Sequence, residues 1–187
     1  MRLDELAERM GASISIETKS FLLRPQTSER EREKFVQYTQ SWMRPAEMEP
    51  RAEFNVWSSD SPAPSGSIPA QVAAKAITAW RPELAHRFDR ALLTAYFTDN
   101  RTISDLDVLA DIAAECGADR DEFKAFVVDN EQQFTEQVID EHNQAVEQGI
   151  TAVPTVVIDG VLPVQGAQDV DLYEHWIRKI IERRSAN

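Results

Sequence analysis

Cysteine is nearly absent from this sequence: Cys116 is the one cysteine among its 187 residues. A single cysteine cannot form an internal disulfide, which agrees with a reducing compartment. The N-terminal stretch MRLDELAERMGAS is amphipathic and lacks the apolar core of a signal peptide. No apolar run approaches the ~20 residues that a membrane-spanning helix needs. The sequence therefore predicts a cytoplasmic protein that does not enter membranes.

Positive charge is also scarce. The 20 Lys and Arg residues stand against 32 Asp and Glu residues, so the net charge is -12. An acidic surface repels phosphate backbones and anionic lipid heads, which excludes nucleic acid and membrane surfaces as predicted partners. The three histidines, His86, His142 and His175, lie far apart, and no pair has the i, i+4 spacing that places two imidazoles together. We predict no metal site, and no phosphate-binding motif or other signature indicates a cofactor.

What remains has the composition of a packed globular chain, with 42% hydrophobic and 28% charged residues. In the first third, apolar spacing predicts a helix from Leu3 to Met10, and residues 13–23 alternate as a strand does. Thr27 and Ser28 are candidate caps for a helix over 29–42. Pro45 and Pro50 are predicted to break the chain, and the Ser/Pro-rich stretch 58–67 is predicted to be a loop.

Helices dominate the middle of the chain, and a short β segment follows. The hairpin signal Asp159-Gly160 separates a β-branched strand from its return strand, and Asp169 is the predicted cap of the last helix. An α/β beginning and a ββα ending separated by helices predict one α/β domain with an inserted all-helical domain. The predicted helices are 69–80, 82–97, 105–115, 120–130, 131–148 and 170–184, and the predicted strands are 155–158 and 162–164.

The sharpest motif is the segment GITAVPTVVIDG at residues 149–160, in which a proline stands just before a strand. This segment resembles the cis-proline loop of thioredoxin-fold proteins, and VQGAQ at 164–168 resembles the turn before their final helix. The blocks ALLTAYF (91–97) and ISD (103–105) are similar to the helical insertion of the DsbA family. The resemblance covers residues 1–25 and 68–184. It is closest to the FrnE-like branch, which is grouped with kappa-class glutathione transferases and 2-hydroxychromene-2-carboxylate isomerases.

The resemblance implies a thioredoxin-like fold in three parts. Residues 1–67 would form the N-terminal part, 68–145 the helical insertion and 146–187 the C-terminal ββα part. It also implies a cis bond before Pro154 and a substrate-binding site at Val153, Pro154 and Thr155. In that site the backbone of Val153 would pair with an extended peptide.

The sequence departs from the family pattern at its beginning. Family members start with a strand followed by Cys-x-x-Cys, or by a single Ser or Cys, whereas RLDEL at residues 2–6 matches the helix after that motif. We therefore expect the N-terminal strand and the nucleophile to be missing, and we predict no catalytic residue. The flanking strands would close up, a second chain would fill the gap, or the gene product is longer. Open strand edges also favour a homodimer.

Cys116 does not replace the missing nucleophile. It precedes Gly117 at the expected C-terminal end of a helix, where the helix dipole disfavours a thiolate. We predict a packed, inert side chain. The four tryptophans are predicted to lie in the core, and Trp57, beside the Ser/Pro-rich loop, is the alternative candidate for a substrate platform.

Function follows from the resemblance and from this departure. The chain resembles a DsbA-family thiol–disulfide oxidoreductase, and it is predicted to be redox-inactive as written because it has no Cys-x-x-Cys. One alternative is a non-catalytic peptide-binding or chaperone-like module. Another is a glutathione-linked transferase or isomerase. The predicted partners are an extended peptide or a small thiol, and no cofactor is predicted.

Overall fold

A computed structural model of the chain describes residues 1–185. Helices predominate, and the two strands of the described chain pair only with each other. The helices are α1 (Arg2–Met10), α2 (Arg32–Thr39), α3 (Met43–Met48), α4 (Ile68–Trp80), α5 (Pro82–Phe97), α6 (Leu106–Glu115), α7 (Arg120–Asp129), α8 (Glu131–Glu147) and α9 (Val170–Ser185). The strands are β1 (Thr155–Ile158) and β2 (Leu162–Gln165).

The described residues form two compact units. Residues 1–21 pack with the residues from 142 onward, and we call this group the terminal unit. Residues 22–141 form the second group, which we call the helical unit. The predicted boundary after residue 67 does not coincide with the division after residue 21, and the three-part domain assignment stays a prediction.

The core of the terminal unit is formed where α1 and α9 cover one face of the hairpin. Leu6 and Met10 of α1 are buried together with Ile158, Val170 and Tyr173. Period-2 alternation places Val156 and Ile158 of β1, with Val164 and Leu162 of β2, on this same face. At the rim of the α1–α9 contact, Nη1 of Arg9 lies 2.6 Å from Oδ1 of Asp171.

The hairpin between β1 and β2 follows its turn sequence. Asp159 and Gly160 both adopt positive φ, at 59° and 71°, and the N–H of Val161 donates to the carbonyl of Ile158 at 3.2 Å. Aspartate and glycine accept this left-handed conformation at low cost, so the turn is encoded locally. The predicted strands at 155–158 and 162–164 are confirmed, and β2 extends one residue further.

The helical unit contains two apolar clusters. The larger cluster joins α4 to α8 around fully buried residues such as Ile77, Phe88, Leu109 and Phe123. The smaller one is aromatic: Phe35, Trp42 and Trp57 are buried, and Phe54, Tyr96 and Phe97 pack against them. The ring centroids of Phe35 and Trp57 are 5.0 Å apart, in an edge-to-face arrangement that aromatic pairs favour.

Buried polar side chains hold the segment that carries Trp57. Asn100 is 3% exposed, and its Oδ1 accepts from the N–H of Ser58 at 2.8 Å. Its Nδ2 donates to the carbonyl of Asn55 at 3.3 Å. The hydroxyl of Thr39 accepts from the N–H of Trp57 at 3.0 Å. These bonds satisfy backbone groups that would otherwise be buried without partners, so they fix the position of the segment.

The strand predicted at residues 13–23 is absent from the structure. Gly11–Ser13 form a 3-10 turn, and Ile14 is extended, but no strand is assigned before β1 in the described chain. A strand exists only through hydrogen bonds to a neighbouring strand. Ile14 nevertheless packs on the core of the terminal unit, as its apolar character predicts.

Three other predictions from the sequence were wrong in detail. The helix expected over 29–42 begins at Arg32 with Glu31 as its N-cap, and Pro45 lies inside α3 rather than ending a helix. Proline is tolerated there because the first turn of a helix needs no N–H donor. Trp176 is 38% exposed, since the buried stripe of α9 runs through Val170, Tyr173 and Ile177.

No helix among residues 1–185 is long and apolar enough to cross a membrane.

Candidate functional site

The predicted site residues lie in the terminal unit: Val153 and Pro154 come between the end of α8 and the start of β1, and Thr155 is the first residue of β1. Gly149, with φ of 78°, ends the helical region, and the N–H of Ile150 donates back to the carbonyl of Ala145 at 2.9 Å. Ile150 is buried, whereas the next four residues are exposed. The chain is therefore anchored at Ile150 and presents Val153 and Pro154 to solvent.

Two hydrogen bonds shape the loop. The hydroxyl of Thr155 donates to the carbonyl of Ala152 at 2.7 Å. The N–H of Gly166 donates to the carbonyl of Pro154 at 2.8 Å. The Val153–Pro154 peptide bond is cis. Val153 itself is 43% exposed, and neither of its backbone polar groups is hydrogen-bonded to another of residues 1–185.

The pairing pattern shows which backbone groups of β1 face away from β2. The bond between Gly166 and Pro154 marks a hydrogen-bonded pair, and such pairs alternate with non-hydrogen-bonded pairs along an antiparallel ladder. The pairs Thr155–Gln165 and Val157–Pro163 are therefore non-hydrogen-bonded. The N–H and C=O groups of Thr155 and Val157 consequently point to the outer edge of β1, on the side where Val153 is also unpaired.

The outer edge of β2 is different. Pro163 occupies the position whose backbone would face outward, and proline has no N–H to donate. Proline on an edge strand is a common device against unwanted strand pairing. The outer edge of β1, unlike that of β2, thus has both the N–H donors and the C=O acceptors that are needed to pair with a further strand.

The turn after β2 is fixed by a buried tyrosine. Tyr173 is 2% exposed; its hydroxyl donates to the carbonyl of Gly166 at 3.1 Å and accepts from the N–H of Gln168 at 3.2 Å. The side chain of Gln168 donates to the carbonyl of Gln165 at 2.7 Å. Because Gly166 also holds Pro154, Tyr173 supports the site residues indirectly. The sequence analysis did not identify Tyr173, whose only signal is its position on the inward stripe of the last helix.

The chemistry available at this loop is limited. Residues 150–158 include no titratable side chain. Their two hydroxyl groups belong to Thr151 and Thr155, and the hydroxyl of Thr155 already donates to the carbonyl of Ala152. General acid–base or nucleophilic catalysis needs a titratable group or an activated nucleophile. The loop therefore offers backbone donors and acceptors that can bind a polypeptide backbone, and none of its side chains can act as a general acid or base.

The lone cysteine lies in the helical unit. Cys116 is 2% exposed at the end of α6, and burial raises the pKa of its thiol. A thiol with a raised pKa is protonated at neutral pH and reacts slowly. The expectation that it would be packed is confirmed. Among residues 1–185, no group of three or more His, Cys, Asp or Glu side chains is arranged to hold a metal ion.

A pocket of about 670 Å³ lies in the helical unit. Phe35 and Trp57 form its apolar wall, and the Ser/Pro-rich loop, with the segment before α6, forms its polar walls. Thr102 donates to the carbonyl of Pro62 at 2.5 Å, and the hydroxyl of Ser104 accepts from the N–H of Ser65 at 3.1 Å. Trp57, predicted either as core or as a platform, is 2% exposed, so it is a core residue whose ring also lines a pocket.

Comparison with known proteins identifies the fold and the family. Residues 1–178 match the family described as DSBA-like thioredoxin domain. The chain belongs to this family, and the predicted fold class, a thioredoxin-like fold with an inserted helical domain, is confirmed. The protein is therefore a member of the DSBA-like thioredoxin domain family. Its 187 residues contain one cysteine and no Cys-x-x-Cys.

The sequence identity to individual relatives is low or covers only part of the chain. The chain is 33% identical over 93 residues to the uncharacterized protein YwbO of Bacillus subtilis strain 168, a match that covers 49% of this chain and 45% of YwbO. It thus spans less than half of that curated relative. The cytosolic disulfide reductase DsbM of Pseudomonas aeruginosa, also solved with GSH, has 16% identity and a TM-score of 0.72, covering 100% of this chain and 91% of DsbM. SCO1869 of Streptomyces coelicolor, a probable DsbA oxidoreductase, has 19% identity and a TM-score of 0.68; the match covers 95% of this chain and 81% of SCO1869. At such identities these structures share the fold alone.

Proposed function

We propose that these 187 residues bind an extended polypeptide as an added strand along the outer edge of β1. We further propose that they do not carry out thiol–disulfide exchange by themselves. The observation that supports binding is the unpaired backbone of Val153 next to the outward-facing groups of Thr155 and Val157. Strand addition uses such groups for affinity and uses side-chain pockets for specificity.

Three further features agree with this proposal. Residues 150–158 carry no charge and are mostly β-branched, which suits pairing with another strand. A two-stranded hairpin is marginal by itself, so an added strand would stabilise it. The loop is exposed at Val153 and Pro154 rather than packed, which a binding surface requires.

Proline substitution offers a sharp test. Val157→Pro removes an N–H that β2 does not use, opposite the natural Pro163, so the hairpin should form while the outer edge loses a donor. We expect a fluorescein-labelled peptide rich in Val and Thr to bind the unchanged chain and to bind Val157→Pro about tenfold less tightly, as judged by fluorescence anisotropy. The matched variant Val156→Pro removes an inward-facing donor and should instead destabilise the fold.

The outcomes separate binding from folding. Circular dichroism and the Tm of Val157→Pro should match those of the unchanged chain. Equal peptide affinity in a folded Val157→Pro variant would refute strand addition at this edge. In the standard insulin turbidity assay, we expect no reduction by the 187-residue chain, and robust turnover would refute the redox-inactive assignment.

A glutathione-linked transferase or isomerase is the second candidate. It is favoured by the likeness to DsbM, whose solved structure with GSH shows that a protein of this fold accepts that thiol. Ligands that bind only the native state raise its stability. We expect millimolar glutathione to raise the Tm if this candidate is right, and an unchanged Tm would exclude it. We also propose a cytoplasmic location, which the cytosolic neighbour DsbM supports, and a homodimer.

A further inference from the structure

The half-buried cations of this protein differ in their partners. Most of them lie within 3.6 Å of a carboxylate oxygen, as expected for a chain with an excess of acidic residues: Arg2, Lys75, Arg101, Arg120 and Lys124. Arg24 and Arg30 are also half-buried, but neither forms an ion pair with any of residues 1–185. A partly desolvated charge without a counter-ion is costly, so its retention needs a reason.

Arg30 is held in place by aromatic rings. Its Cζ lies 4.0 Å from the ring centroid of Phe35 and 5.1 Å from that of Tyr38. A stacked guanidinium keeps its N–H groups directed outward in the plane of the fork, where they are able to meet a carboxylate. Arg30 and Phe35 both line the 670 Å³ pocket, so the guanidinium is positioned at its wall.

Other groups of this region also lack acceptors. Nε of Arg24 and Nε1 of Trp57 are buried and form no hydrogen bond within the described chain. Burial raises the pKa of Tyr96, and the charge of Arg30, its side-chain hydrogen bond to Tyr96 and the charge of Arg24 oppose that rise. Arg30 therefore has a neutral hydrogen-bond partner and no counter-ion. Of these residues, Arg30 and Trp57 line the pocket, so its lining includes a guanidinium without a carboxylate partner and a residue with an unmet indole N–H.

The remaining charges restrict the kind of anion. Arg32 is already engaged, because its Nη1 donates to the carbonyl of Ser59 at 2.5 Å. The carboxylates of Glu29, Asp60 and Asp105 also line the pocket, and their negative charge disfavours a dianion such as a phosphate monoester. A monoanion with an apolar body would pair with Arg30 and lie beside Pro62 and Ala63, which also line the pocket, whereas Phe35 and Trp57 are only 1% and 2% exposed.

We propose that this pocket binds a small organic carboxylate, with Arg30 as the residue that recognises the carboxylate group. The volume suits such a ligand, since small-molecule pockets typically enclose about 300–1,000 Å³. The hydrogen bonds of Thr102 and Ser104 to the Ser/Pro-rich loop fix the opposite wall. This site lies in the helical unit and does not depend on the proposed strand addition at β1.

Benzoate is a suitable probe, and benzamide is its neutral isostere. We expect saturable binding of benzoate in low-chloride buffer by isothermal titration calorimetry, and at least about tenfold weaker binding of benzamide, because a charged hydrogen bond is stronger than a neutral one. Arg30→Gln should weaken benzoate binding at least about tenfold. Arg44→Gln, an exposed arginine of the same unit, should leave binding unchanged.

A second variant guards against misfolding. Arg30→Lys keeps a cation near Phe35 but loses the planar fork, so it should bind benzoate less tightly while the Tm changes little. The proposal is overturned if benzoate does not bind, if benzamide binds equally well, or if a folded Arg30→Gln or Arg30→Lys variant binds benzoate like the unchanged chain. Tighter binding of inorganic phosphate than of benzoate would also overturn it.

Discussion

Replacing Lys75 by methionine should destabilise the helical unit strongly. Nζ of Lys75 lies 2.7 Å from Oε2 of Glu141, and the two side chains are only 13% and 9% exposed. Glu141 also accepts from Nε2 of Gln137 at 3.3 Å, a contact that does not supply a compensating charge. Lys75→Met would therefore leave a carboxylate in a poorly solvated position without its nearest cation.

The expected magnitude follows from that burial. Removing one partner of a buried ion pair costs about 3–5 kcal/mol, and for a chain of this size about 1 kcal/mol lowers the Tm by roughly 2–4 °C. We expect a decrease of about 10 °C in Tm, measured by differential scanning calorimetry. Lys124→Met is the matched control, because its partner Asp107 is 56% exposed and solvent screens the pair.

The double variant Lys75→Met with Glu141→Leu completes the test. It removes both charges and keeps the volume, so stability should return to that of the unchanged chain or exceed it. If Lys75→Met lowers the Tm no more than Lys124→Met does, the pair contributes no net stability. If the double variant is as unstable as the single one, the loss is a packing effect rather than an uncompensated charge.

Two other predictions concern titratable groups of the helical unit. Burial raises the pKa of Asp89, and the positive charge of Lys75 opposes that rise; a raised folded pKa means that ionised Asp89 opposes folding above this pKa. Asp89→Asn should therefore raise the Tm at pH 7. Its advantage should shrink as the pH falls through the raised folded pKa of Asp89 and should be gone below the ordinary aspartate pKa; a constant advantage at all pH values would contradict this origin. Cys116 should not react with Ellman's reagent at pH 7 in the native chain and should react fully in guanidinium chloride, because burial raises the pKa of its thiol and blocks access; rapid labelling of the native chain would refute the inert assignment.

The parts of the fold that the sequence predicted correctly are those encoded over a few residues. Asp159-Gly160 specifies a turn by its own conformational preferences. The helix predicted over 120–130 begins at Arg120, where Asp119 accepts from the N–H groups of Asp121 and Glu122 at 3.0 Å and 2.9 Å. Neither feature needs a distant partner. The helices and the hairpin were therefore predictable, with errors of a few residues at their ends.

The parts that failed depend on distant neighbours. Residues 13–23 have the alternation of a strand, yet alternation describes only which side chains are apolar and cannot supply a hydrogen-bonded neighbour. Trp176 was predicted to be buried from its hydrophobicity, but a helix buries only the stripe that faces its partner. In both cases local sequence was read correctly, and the tertiary environment decided the result.

The candidate sites show the same division. Val153 and Pro154 are recognisable because a proline before a strand is unusual, and the motif is continuous in sequence. Arg30 has no such signal, since its importance comes from what it lacks: a carboxylate partner such as Arg2, Lys75, Arg101, Arg120 and Lys124 possess. An absent ion pair is visible only after all contacts of the folded chain are known.

The chemistry of the two units points to separate roles. The β1 edge offers backbone donors and acceptors without any titratable side chain, so it suits a polypeptide whose sequence matters little. The pocket of the helical unit offers the guanidinium of Arg30 beside aromatic rings, so it suits a small molecule with one negative charge. Benzoate binding that survives Val157→Pro, together with peptide binding that survives Arg30→Gln, would establish two independent sites; loss of both ligands in either variant would instead indicate one shared conformational effect.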